Sequence, residues 1–164
     1  MFRYLIRSLL QSDEPMLREM LYHALYVPPG QPSFPPEVVD EPEIIRYVER
    51  WGRAGDRGLA ALDAVSVQPV GAVWSRLFSA EEKGYGYLAS DIPELSIAVL
   101  PEYRNQGIGT SLLKQLISEA QNEFSALSLS VSADNPAVRL YLRLGFVIAA
   151  AQRTSLTMKL RLTR

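Results

Sequence analysis

Apolar positions recur along this chain in two periods, and the switches between them divide it into elements. Steps of three and four mark helices. Leu17, Met20, Leu21, Ala24 and Leu25 form one such stripe, opened by Ser12-Asp13-Glu14-Pro15, which combines cap residues with an early proline. Ile44, Ile45, Val48 and Trp51 predict a second helix, with Asp40 and Glu43 spaced as a capping box. Ile108, Leu112, Leu113, Leu116, Ile117 and Ala120 predict a third. Ala137, Leu140, Tyr141 and Leu144 predict a short fourth, capped by Asn135 with Pro136 at its first position and closed by Gly145. Strands are predicted over residues 4–10, 59–67, 70–78, 92–100, 124–131, 146–150 and 155–161. In the third of these, Val73, Ser75 and Leu77 alternate with Ala72, Trp74, Arg76 and Phe78, the period of a sheet with two distinct faces.

The predicted order is β-α-α-β-β-β-α-β-α-β-β. It implies a mixed α/β sheet with helices on both faces, not the pure βαβ alternation of a doubly wound sheet. Residues 27–36 hold five prolines, which remove donors and fix φ, so they predict a stiff loop between the first two helices. Loops of this kind often line binding sites. Phe34 and Trp51 are then candidate pocket walls, and otherwise packing residues. Residues 79–90 form a polar connection carrying Tyr85 and Tyr87.

Composition narrows the chemistry. At 164 residues the chain is expected to form one domain with a substantial core. Net charge is −1, so a general attraction to nucleic acid is not expected. There is no cysteine and one histidine, His23, which leaves no disulfide, thiolate or multi-histidine metal chemistry. No apolar run approaches the roughly 18 residues that span a bilayer. The first residues carry Arg7 within their apolar part and read as a strand instead of a signal peptide. The expected location is the cytoplasm, with no metal and no membrane partner.

The densest signal lies at the central strand. Residues 92–100 lead through Pro101-Glu102-Tyr103-Arg104-Asn105-Gln106 into the third helix at Gly107-Ile108-Gly109-Thr110. A helix start leaves several backbone N–H groups unpaired at the positive end of the dipole, where an anion is stabilised. Gly107 and Gly109 lack a Cβ and let a phosphate approach the main chain. The ATP-type string G-x-x-x-x-G-K-[ST] is absent, and the third glycine of the dinucleotide fingerprint is replaced by Leu112.

What remains, Arg104-x-x-Gly107-x-Gly109 after a V-x-P-x-x-R segment, resembles the coenzyme A pyrophosphate loop of the GNAT acetyltransferase superfamily. Residues 134–146 (DNPAVRLYLRLGF) resemble the family's N-x-A-x-x-L-Y-x-x-x-G-F segment, with an Asn-to-Tyr spacing one residue shorter than in many relatives. The resemblance implies the GNAT fold, a mixed, mostly antiparallel seven-stranded sheet. Residues 1–90 would form the acceptor side, 91–150 the coenzyme-binding core and 146–162 a C-terminal hairpin. It implies acetyl-CoA as co-substrate, with no metal, and an amine acceptor. Transfer would be direct, in a ternary complex of a monomer or homodimer.

By the same resemblance, Arg104, Asn105, Gln106, Gly107, Ile108, Gly109 and Thr110 would hold the pyrophosphate. The backbone of Ile97, Ala98 and Val99 would hold the pantetheine arm. Asn135, or else Asp134, would contact the coenzyme. Glu94, at the start of the central strand, would be the general base; the alternative is a solvated carboxylate in a turn. Tyr141 would donate to the departing sulfur; the alternative is a core tyrosine. A base carried on the fifth strand in some protein-modifying relatives would fall near Ser130, which cannot serve. A silent acyl-CoA-binding module and a coenzyme-free interaction domain remain as other readings of the same fold.

Overall fold

A computed structural model describes residues 3–163. Its strands, β1 (Tyr4–Ser8), β2 (Arg57–Asp63), β3 (Pro69–Arg76), β4 (Glu94–Val99), β5 (Ala126–Ser132), β6 (Val147–Ala151) and β7 (Ser155–Arg161), form one seven-stranded sheet. The order across it is β1-β2-β3-β4-β5-β7-β6. Every neighbouring pair is antiparallel except β4–β5, which is parallel and in register only at Glu94 and Ser128. Beyond that point the two central strands part.

Helix α1 (Glu14–Ala24) covers one face and α3 (Ile108–Ala120) the other. Leu17, Met20 and Leu21 of α1 pack on Ala72, Trp74 and Ala98, together with Val48 and Trp51. Leu112, Leu113 and Leu116 of α3 pack on Val73, Leu95, Leu127 and Leu129, and Tyr141 of α4 (Ala137–Arg143) joins this second cluster. The alternation read from β3 is therefore real: Trp74 and Arg76 face one cluster while Val73 faces the other.

Several predicted bounds change. The second helix shrinks to α2 (Pro42–Ile45), and its N-cap is Glu41 without a side-chain cap. Asp40 instead pairs with Arg18 at 2.5 Å. After Ile45 the chain tightens, with Tyr47 and Val48 bonding three residues back. The carbonyls of Arg46 and Glu49 are taken by the buried Arg76 guanidinium, and Arg50 turns to φ 54°. Ile44, Val48 and Trp51 are still buried. Strand β2 ends at Asp63, short of residue 67. The Asp63 carboxylate accepts the N–H groups of Val65 and Ser66 at 2.8 and 3.1 Å, and Val67 adopts φ 62°. β1 and β4 are likewise shorter than the predicted runs. Among the described residues no helix is long and apolar enough to cross a membrane.

Candidate active site

Parting of β4 from β5 leaves one edge of β4 without a partner. Leu100 donates its N–H to Val70 of β3. Backbone groups alternate sides along a strand, so Ala98 also faces β3 while Ile97 and Val99 face the gap. Of the three predicted contacts, the amides on offer are those of Ile97 and Val99; Ala98 spends its polar groups on Ala72, its register partner. The carbonyl of Val99 is already engaged, accepting Nε of Arg104 at 2.9 Å. A terminal nitrogen of Arg104 also reaches the His23 carbonyl at 3.4 Å, so this cation is anchored at the mouth of the gap.

At the end of β4 a 3₁₀ turn (Pro101–Tyr103) leads to Asn105 with φ 63° and Gly107 with φ 84°. These left-handed residues turn the chain into α3, whose first internal hydrogen bond is Ser111 N–H to Gly107 O at 3.1 Å. The six preceding amides, Asn105 to Thr110, therefore find no acceptor among the described residues. A Cβ built on Gly107 would meet nothing within 4 Å, so the space in front of it is open. Consecutive N–H groups around left-handed residues form an anion-binding nest, here added to the dipole of a 13-residue helix.

On the far side of the gap, β5 leads to Asn135, whose Oδ1 accepts the Ala137 N–H at 2.9 Å; the N-cap of α4 is Pro136, one residue later than predicted. A depression of about 390 Å³ opens there, lined by Ala133, Asp134, Asn135, Pro136, Val138 and Arg139. A second cavity of about 450 Å³ lies near Trp51, Arg53 and Glu123, at the other end of α3 and away from these groups. Tyr141 packs edge-on against Phe146 at 5.9 Å, and burial pushes its phenol up to about 12.

Glu94 stands at the opposite end of β4, roughly 17 Å from Val99 at about 3.3 Å per residue. It is not a solvated turn carboxylate: it is 3% exposed. Its Oε2 accepts the Tyr47 hydroxyl at 2.5 Å, and its Oε1 has no hydrogen-bond partner among the described residues. Burial raises its pKa to about 7, against the opposing pull of Tyr47 and of the Gly86 backbone N–H. Sequence reasoning did not pick out Tyr47, which sits between Ile44 and Val48 and reads there as one more apolar position.

The remaining sequence candidates divide. Trp51 is a packing residue, 3% exposed with the Arg76 guanidinium 5.4 Å from its ring centroid. Phe34 is exposed, and its carbonyl accepts the Tyr22 hydroxyl at 2.6 Å. His23 packs edge-on against the Tyr22 ring. Among the described residues no cluster suits a metal ion.

The chain thus presents an open central gap with a run of unpartnered amides at one end and a buried carboxylate at the other, and comparison identifies its family. The profile of the Acetyltransferase (GNAT) family matches residues 18–146, and the chain belongs to that family. A Saccharolobus solfataricus protein, an N-alpha-acetyltransferase, is 44% identical over 55 residues, 32% of this chain. The match spans only about a third of that relative, 33% of its length. A Salmonella typhimurium protein assigned as an acetyltransferase, solved with its cofactor acetyl-CoA, superposes with a TM-score of 0.69 at 19% identity over 99% of this chain and 95% of that one. An N-acetyltransferase of Staphylococcus aureus superposes at 0.70 with 20% identity over 98% and 99%. At those identities the structural likeness speaks for the fold, and the family match for membership of the GNAT acetyltransferases.

Proposed function

We propose that the chain moves an acetyl group from acetyl-CoA to a primary amine of a small molecule or a protein, by direct transfer in a ternary complex. The observation that carries this is the run of six unpartnered amides, Asn105 to Thr110, beside the unpaired edge of β4. Bound there, acetyl-CoA would supply the activated acetyl thioester. The nest would hold the pyrophosphate, with Arg104 as the nearby cation, and Ile97 and Val99 would offer their N–H groups to the pantetheine arm. Asn135 keeps its side-chain NH₂ for the coenzyme because its Oδ1 is spent on the Ala137 N–H.

The acceptor must first lose a proton. An alkyl ammonium of pKa near 10 is only about 0.1% neutral at pH 7. A carboxyl titrating at about 7 is well matched to that task, since it is partly ionised yet basic enough to take the proton. Glu94 is therefore assigned as the base. Tyr141, with its phenol pushed up to about 12, keeps its proton at all working pH. A thiol titrates near 8.5, so full transfer from this phenol to the leaving thiolate is uphill. The role assigned to Tyr141 is hydrogen-bond donation to the departing sulfur.

The test has two stages. Thermal unfolding with acetyl-CoA at about 100 times its dissociation constant should raise the midpoint by roughly 5–10 °C, from about 2.7 kcal/mol of linkage. Thiol release is then followed with a panel of free-amino-terminal peptides, amino acids and polyamines. Absence of any stabilisation by acetyl-CoA would sink the reading.

A further inference from the structure

The candidate base is held by residues far from it in sequence. Tyr47 donates its hydroxyl proton to Glu94 Oε2 at 2.5 Å, and the same oxygen accepts the Tyr85 N–H at 2.7 Å. A phenol has one proton to give, so with Tyr85 donating to it the proton is directed at the carboxylate. The ring is equally fixed. It stacks on Tyr85 at 6.5 Å, meets Phe78 edge-on at 5.0 Å, and the Tyr47 carbonyl accepts the Trp74 indole N–H at 3.1 Å.

We infer that Tyr47 is the positioning residue of the base: it pins Oε2 of Glu94 and so leaves Oε1 as the one oxygen that takes the acceptor's proton. This rests on Glu94 being the base. A second observation supports the division of labour. Oε1 is buried without a partner, and so is Oγ of Ser128, the register partner of Glu94 across β4–β5. Side chains at register positions of a parallel pair share a face. Two buried polar atoms left without a partner on one face of adjacent strands suit a proton-carrying water or the incoming amine, since buried polar groups are rarely left unpaired. In the step itself an N–H bond of the ammonium breaks, its electron pair stays on nitrogen, and the proton joins Oε1 directly or through that water. Tyr47 keeps its own proton throughout, because burial and then the Glu94 charge hold its phenol far above the usual range.

The experiment titrates Glu94 directly and needs no acceptor. Carboxyl ¹³C shifts of glutamate-labelled protein are followed from pH 4.5 to 9, with Glu94→Gln identifying the resonance. The wild type should show a midpoint near 7. Tyr47→Phe keeps the packed ring and removes the hydrogen bond, so its midpoint should rise by about one unit. With an alanine-initiated peptide or spermidine as acceptor, the acid limb of kcat/KM should move up with it, while KM for acetyl-CoA stays unchanged. A wild-type midpoint in the ordinary carboxylate range overturns the base assignment and this inference together. A midpoint near 7 that Tyr47→Phe leaves in place, in a variant with native circular dichroism, overturns the role of Tyr47 alone.

Discussion

Arg76 and Asp56 meet through two hydrogen bonds, Nε to Oδ1 at 3.0 Å and a terminal nitrogen to Oδ2 at 2.8 Å, with side-chain exposures of 1% and 3%. The pair does more than neutralise itself. The other terminal nitrogen of Arg76 takes the carbonyls of Arg46 and Glu49, which flank Tyr47. Oδ2 of Asp56 takes the N–H groups of Gly52 and Arg53. One buried cation thus sets the path of the segment that delivers Tyr47 to Glu94.

Removing one partner of this pair should be severe. Asp56→Ala leaves a guanidinium buried and underpaired, which costs about 3–5 kcal/mol. Urea unfolding should place the variant that far below wild type. The double variant Asp56→Ala/Arg76→Met should recover part of the loss, since it removes the orphaned charge as well.

Glu94 should make stability fall with pH. Its folded pKa is raised from 4.5 to about 7, so the folded state holds a proton that the unfolded state releases. The stabilisation is fully present below pH 4.5 and is lost as pH rises through 7. Glu94→Gln should therefore be more stable than wild type at pH 8, by up to about 3 kcal/mol, with the advantage vanishing near pH 4. Paired denaturation curves across that range check the sign; a constant difference would exclude a buried, titrating Glu94.

Gly84 lies against the same carboxylate. A Cβ there would overlap Oε1 of Glu94 and come within 2.7 Å of the Tyr47 hydroxyl. Gly84→Ala should displace one or both groups at a cost of about 1–3 kcal/mol. The Glu94 resonance, followed as above, should lose its wild-type midpoint.

Gly107→Val tests the nest. Its φ of 84° is strained for a β-branched residue, and its Cβ would project into open space, not into the protein. The fold should survive with lowered stability while the acetyl-CoA-induced rise in midpoint, about 5–10 °C in wild type, is abolished. Persistence of that rise would place the coenzyme elsewhere.

The fold was legible because its signals are local. The stripe from Ile108 to Ala120, the alternation through β3 and the Asn135–Pro136 start of α4 each announce an element within a few residues, and their order announces the sheet. The nest was legible for the same reason: a strand, a glycine turn and a helix start are consecutive in sequence. Boundaries were less so. The stripe of Ile44, Val48 and Trp51 predicts a helix, but Arg76, on a distant strand, draws away the carbonyls that would have continued it.

What the sequence determined alone is the periodicity, the element order and the string of backbone donors entering α3, all set by short-range sterics and hydrogen bonding. What only the tertiary structure decided is the state of Glu94. Its burial, its divided oxygens and its pKa near 7 depend on Tyr47, which lies 47 residues away, and on Gly84 and Tyr85 closing over the strand. Desolvation is a property of everything packed around a group, and no residue carries it in its own name.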